Sequence, residues 1–204
     1  MRPRGAVALA AAGLGGYLVG TFPSADVASR MASAGTVDLR TTGSANPGAL
    51  NAARQLGTGW GIAVLVADAA KGAAGAAFGR RVAGDGGGYL AAAAATAGHI
   101  APVWNGFRGG KGVATSAGAC LAVFPAYFPI DAAVAAAGAA GTRNPETAVR
   151  LSSLVWVLSA VVWWRRRWPN MWGPQPSIGL PLFATASASM ILAKFAAARR
   201  AGPT

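Results

Sequence analysis

Apolar residues gather along the chain near 5–22, 58–79, 86–104, 113–128, 130–141, 151–164 and 178–195, separated by Gly, Pro and basic clusters. This pattern predicts six or seven helices. Several stretches are shorter than the roughly 20 residues of a perpendicular membrane span. The two around Pro125 and Pro129 therefore read as either a helical hairpin or two thin spans. Positions 24–57 are rich in Ser, Thr, Asn, Gly and Arg and hold few large apolar side chains, so they read as a loop outside the hydrocarbon. With two helices between them, this segment and the connection 105–112 should emerge on one side, and 142–150 would be the third connection there.

Composition sharpens this picture. Of 204 residues, 53% are hydrophobic and only 12% charged, and the mean hydropathy is +0.41, too little charge for an ordinary soluble surface. The apolar residues are mostly Ala, Val, Leu and Gly, and such small-residue helices approach one another closely in lipid. The expected fold is an all-α membrane protein, one membrane-embedded domain over 1–204, built as a compact bundle of six or seven short transmembrane helices with its functional loops on the cytoplasmic face. Met1 to Arg4 and the apolar run after them resemble a signal peptide. No convincing cleavage site follows, and the run reads as the first transmembrane helix.

The net charge of +12 would suggest nucleic acid in a soluble protein. In this setting its expected counterpart is the anionic lipid headgroup, and nucleic acid is not expected as a partner. Arg80, Arg81 and Arg165-Arg166-Arg167 would lie opposite the 24–57 side, so the positive-inside asymmetry orients the chain only in part. Cys120 is the single cysteine, which excludes an intramolecular disulfide; it is expected to pack in a helix.

Three motifs carry candidate chemistry. Gly43-Ser44-Ala45-Asn46-Pro47-Gly48-Ala49-Leu50-Asn51, preceded by Asp38-Leu39-Arg40, reads as a tight loop running into a helix. Its Ser and Asn offer hydrogen bonds and its glycines let backbone N–H groups approach an oxyanion, although the same residues also make plain caps and turns. Asn105-Gly106-Phe107-Arg108-Gly109-Gly110-Lys111-Gly112 opens onto a helix, so that backbone donors, helix dipole and ammonium could converge on an anion. It is not a nucleotide-binding P-loop, because Gly112 stands where a hydroxyl residue belongs. Asp68-Ala69-Ala70-Lys71-Gly72 places an ionisable pair inside an apolar stretch, and either a functional site or a structural ion pair accounts for it. His99 is the only histidine among only six acidic residues, so a metal set or a paired-carboxylate site is not expected. Neither a metal nor a cofactor is expected. The chemistry should run on cations, hydroxyls, amides and backbone donors.

At these loops the sequence resembles the bacterial PlsY family, membrane acyltransferases that move an acyl chain from acyl phosphate to glycerol 3-phosphate. The first family motif is matched by Ser24, Arg30, Asp38-Leu39-Arg40, Gly43-Ser44-Ala45-Asn46 and Asn51, with Ala45 in place of a glycine. The Asp-x-x-Lys-Gly motif is matched by Asp68 to Gly72, and the Gly-His through Gly-Gly-Lys-Gly-Val-Ala-Thr stretch by Gly98 to Thr115. The resemblance is close over about the first 120 residues; beyond them Ser153 is the best match to a family serine. The family's terminal segment carries His, Asn and Glu, whereas this chain ends Lys194-Phe195-Ala196-Ala197-Ala198-Arg199-Arg200-Ala201-Gly202.

The resemblance implies synthesis of lysophosphatidic acid in phospholipid biosynthesis, at a bacterial plasma membrane, with acyl phosphate, glycerol 3-phosphate and membrane lipid as partners. It implies Ser44, Asn46 and Lys111 as catalytic residues. Ser24, Arg40, Gly43, Asn51, Lys71, His99, Gly109, Gly110, Gly112 and Ser153 are implied to bind substrate. The altered tail leaves a catalytically impaired relative that binds phosphate-bearing lipid precursors as the alternative. A transporter, built on Asp68 and Lys71, stands behind both, since the hydropathy carries no inverted repeat.

Overall fold

The computed structural model describes residues 3–141 and 145–200. Among them every regular element is helical: α1 (Pro3–Gly20), α2 (Ser24–Ser33), α3 (Ala49–Leu56), α4 (Thr58–Ile100), α5 (Val113–Val123), α6 (Phe128–Gly141), α7 (Pro145–Arg166) and α8 (Gly179–Arg200). The apolar run that contains α4 covers 48 residues, about 70 Å if straight and more than twice the hydrocarbon thickness. It does not run straight. Ala83 and Gly84 leave helical geometry, Gly84 at φ +66°, and the chain doubles back. Gly79 then faces Gly87 and Ala91, while Gly75 faces Ala95. The expected helices at 58–79 and 86–104 are the two arms of this hairpin.

Four stretches are long and apolar enough to cross a membrane, or five if α5 and the start of α6, bent by 115°, form one broken span. Counting the hairpin arms separately gives five apolar passes, or six with the broken span, the lower of the two expected numbers. The bend falls at Phe124 (φ −139°, ψ 55°), where a 3₁₀ turn over Pro125–Tyr127 joins α5 to α6. Segment 24–57 differs from the expected loop in containing α2 and α3. Both are short, with opposed polar and apolar faces, and Ala25, Ala28, Leu39, Ala52 and Val64 pack together beneath them. Of the expected connection at 142–150, residues 142–144 lie outside the described residues and 145–150 already belong to α7.

Glycine sets how closely these helices pack. A Cβ on Gly16 or Gly20 would collide with the backbone at Ala91 or Ala95 on the second arm, and one on Gly118 of α5 with the backbone of Ala69 on the first arm. Lipid supplies no hydrophobic drive between helices, so this close contact is what holds the bundle. The second core joins α4, α5, α7 and α8 through Tyr89, Cys120, Phe124, Tyr127, Trp156 and Phe183. At the closed end of the hairpin, Arg80 donates to Trp172 O (3.0 Å) and Tyr89 to Gln175 O (3.2 Å), which places the α7–α8 connection there. The open end carries α2, α3 and the 101–112 connection.

This packing predicts a contrast between two glycines. Gly118→Ala should cost about 1–3 kcal/mol through overpacking, whereas Gly59→Ala, with open space around the new methyl, should be neutral or slightly stabilising. Melting temperatures of the two purified variants in detergent check this; equal shifts would contradict the close-packing account.

Candidate active site

The open end is organised by one buried carboxylate. Asp68 is 2% exposed. It accepts the Ser24 hydroxyl hydrogen bond at the start of α2, faces Lys71 Nζ at 2.9 Å and lies 3.4 Å from His99 Nδ1 on the second arm. Lys71 also donates to Phe22 O at 2.9 Å, just beyond α1. The sequence left the Asp68–Lys71 pair open between function and structure. In the fold it ties α1, α2 and both hairpin arms together. A charge taken out of water is tolerated only with this kind of full partnership.

Beside it lies a small polar well of ≈ 20 Å³, bordered by Ser24, Arg40, Lys71, His99, Gly109 and Gly110 among others. Outward from the well is an open cleft of ≈ 510 Å³, lined by Asp38, Arg40, Thr41, Ser44, Asn46, Arg108, Lys111 and Lys194. Arg40, Pro47 and Gly109 border both. On the other side the well shares Thr21, Phe22, Pro23 and Lys71 with an apolar groove of ≈ 640 Å³ that runs past Leu18, Ala67, Ala70, Ala74 and Trp104. The well thus lies between the groove and the cleft, sharing lining residues with each.

The first loop and the 105–112 connection do meet. Arg40 is half-buried, pairs with Asp26 and donates from Nε to Arg108 O at 3.0 Å, and Asn105 Nδ2 donates to Asp26 Oδ2 at 3.2 Å. Lys111 Nζ lies 4.3 Å from the centre of the Phe195 ring, a cation–π contact that brings α8 to the cleft. Burial holds the Lys111 ammonium below the ordinary lysine pKa, against an opposing pull from the Glu146 carboxylate.

Several expected ligands have other occupations. Asn51 is buried; its amide donates to Leu39 O (3.1 Å) and Thr42 O (3.0 Å) and accepts from Ser44 N (3.1 Å). It braces the loop that presents Ser44 and Asn46. Gly43, at φ +61°, backs onto Asn51 and Gln55, so a side chain there would displace that brace. Gly109 donates its N–H to Ile100 O at 3.1 Å, which takes that donor out of any anion cradle. Gly110 lets the loop pass against the His99 ring, and Gly112, at φ +85°, turns the chain into α5. Ser153 is not brought to the well or the cleft. It is buried in α7, which packs on α6 and α8.

Asp26, Asn105, Arg108 and Lys194 escaped the sequence reading as site residues. Asp26 was visible as an acid in a first helical turn, and Arg108 as a cation beside the Gly-Gly-Lys run. Nothing local distinguishes Lys194 from the other cations of the tail.

Breaking the Asp68 network should be costly. Asp68→Asn leaves the Lys71 ammonium buried without its anion, a loss of about 3–5 kcal/mol, seen as a lowered melting temperature of the purified protein; an unchanged transition would show that the network bears no load.

The family model for glycerol-3-phosphate acyltransferase matches residues 10–200. The glycerol-3-phosphate acyltransferase of Maricaulis maris is 43% identical over 163 residues, 78% of this chain and 72% of that protein. Glycerol-3-phosphate acyltransferase 1 of Moorella thermoacetica is 41% identical over 128 residues, 63% of this chain and 65% of that protein. Two crystal structures of PlsY, an integral membrane glycerol 3-phosphate acyltransferase, superpose on the fold. The glycerol 3-phosphate form has a TM-score of 0.75 at 26% identity, covering 94% of this chain and 90% of that one. The lysophosphatidic acid form has a TM-score of 0.72 at 25% identity, covering 91% and 87%. Motifs, fold and relatives agree, and the chain belongs to the glycerol-3-phosphate acyltransferase family of multi-pass membrane proteins.

Proposed function

We propose that this protein transfers an acyl chain from acyl phosphate to glycerol 3-phosphate, releasing lysophosphatidic acid and inorganic phosphate at the cytoplasmic face of a bacterial plasma membrane. The observation that carries the reading is the succession of an apolar groove, a polar well and a cation-lined cleft, each sharing lining residues with the next. An acyl phosphate has one apolar and one dianionic end, and this surface changes character in the same order. The crystal forms of PlsY with glycerol 3-phosphate and with lysophosphatidic acid support the choice of acceptor and product.

In this reading the acyl chain lies along α1 and the first hairpin arm, and its carbonyl reaches the Arg40–Gly109 junction. Ser44, Asn46 and nearby N–H groups hold the acyl-phosphate head, while Arg40 and Lys111 offset repulsion between the two phosphates. The acceptor hydroxyl oxygen attacks the carbonyl carbon, the new C–O bond forms, and the bond to phosphate breaks with its electron pair leaving on phosphate. The hydroxyl proton passes to a phosphate oxygen. Phosphate is a good leaving group, so positioning two anions is the main task left to the protein.

Lys111→Ala should lower kcat/KM for glycerol 3-phosphate by about tenfold to a hundredfold, the loss of one charge-assisted contact of about 1.5–3 kcal/mol. Lysophosphatidic acid formation by the purified protein reads this directly. Normal turnover in the variant removes Lys111 from the site, and a wild-type protein that binds glycerol 3-phosphate without turnover identifies the impaired relative instead.

Both ends carry cations, including Arg80 and Arg165 to Arg167 at the closed end, so orientation needs its own test. The lone Cys120 is buried, which leaves introduced cysteines as clean reporters. In intact spheroplasts a membrane-impermeant maleimide should label Gln175→Cys and spare Thr36→Cys until lysis; the reverse pattern would turn the site outward.

A further inference from the structure

We infer that Lys194 on α8 is a binding residue for the phosphate of the acceptor, fixing the cleft's preference for a phosphorylated alcohol. The inference rests on the proposed reaction and adds a residue that neither the motifs nor the loops identify.

Lys194 lies on α8, and together with Ala197 and Ala198 it lines the same cleft as Ser44, Asn46 and Lys111. Its neighbour Phe195 is buried and supports the Lys111 ammonium with its ring. One turn of α8 therefore anchors one cation and supplies a second. Arg40 shares its charge with Asp26, whereas Lys194 has no carboxylate within salt-bridge distance among the described residues. A half-buried ammonium without a counterion is poised for an anionic ligand.

Position within the site selects which anion. Lys194 lines the outer cleft but neither the well nor the apolar groove. In the proposed reaction the carbonyl lies where well and cleft meet, beside Arg40 and Gly109, and the leaving phosphate is bonded directly to that carbonyl. The acceptor carries its phosphate three carbons away from the attacking hydroxyl. Its anion therefore reaches further into the cleft, which Lys194 and Lys111 both line.

Steady-state kinetics with purified protein test this. Lys194→Ala should raise KM for glycerol 3-phosphate at least tenfold while KM for acyl phosphate stays within twofold, and Lys194→Arg should restore most of the loss. Melting temperatures near the wild-type value in both variants separate binding from folding. An unchanged acceptor KM, or a rise confined to acyl phosphate, overturns the assignment. Should the wild-type protein form no lysophosphatidic acid, the reaction assigned above fails, and Lys194 is then read by equilibrium binding of radiolabelled glycerol 3-phosphate. Affinity at least tenfold weaker in Lys194→Ala upholds the assignment; equal affinity, or no binding by the wild type, overturns it.

Discussion

A carboxylate in a mostly apolar bundle must be surrounded by donors, and that requirement organises the open end of this protein. Asp68 draws in Ser24, Lys71 and His99, and Lys71 extends the network to the end of α1 through Phe22 O. Three stretches distant in sequence, 22–24, 68–71 and His99, are thereby held at one level. The first loop, the 101–112 connection and the groove along α1 all take their positions from it.

The packing below serves the same end. Glycines at the crossings of α1, the hairpin arms and α5 let backbones touch, giving a rigid platform without large side chains. Large residues concentrate instead in the core around Phe124, Tyr127, Trp156 and Phe183, which fixes α5, α7 and α8. That second core is what delivers the far end of α8 to the cleft, with Phe195 against Lys111 and Lys194 beside it. Through Lys194, Ala197 and Ala198 that helix lines the cleft.

The site differs from a simple glycine-rich anion cradle. Gly109 uses its N–H on Ile100 O, and Gly110 and Gly112 serve close approach and a turn. Asn51 likewise turns inward to brace the Ser44 loop. The glycines and amides shape the loops, while cations and the exposed ends of Ser44 and Asn46 face the cleft. Motif residues in a tight site thus divide between those that hold the shape and those that meet the ligand, and sequence alone does not separate them.

Hydropathy by itself determined the all-helical membrane class, the places of the apolar helices and the break between the arms of α4, because burial in lipid demands long apolar runs with internally paired backbones. The ordered motifs determined the family and the compartment shared by Ser44 and Lys111. Only the tertiary structure decided that 24–57 holds two helices, that Asp68 and Lys71 join α1, α2 and both hairpin arms, that Ser153 lines neither well nor cleft and that Lys194 lines the cleft. These outcomes depend on contacts between residues tens of positions apart. A local pattern encodes what a segment prefers, whereas which side chain faces a shared cavity is fixed by how whole helices pack.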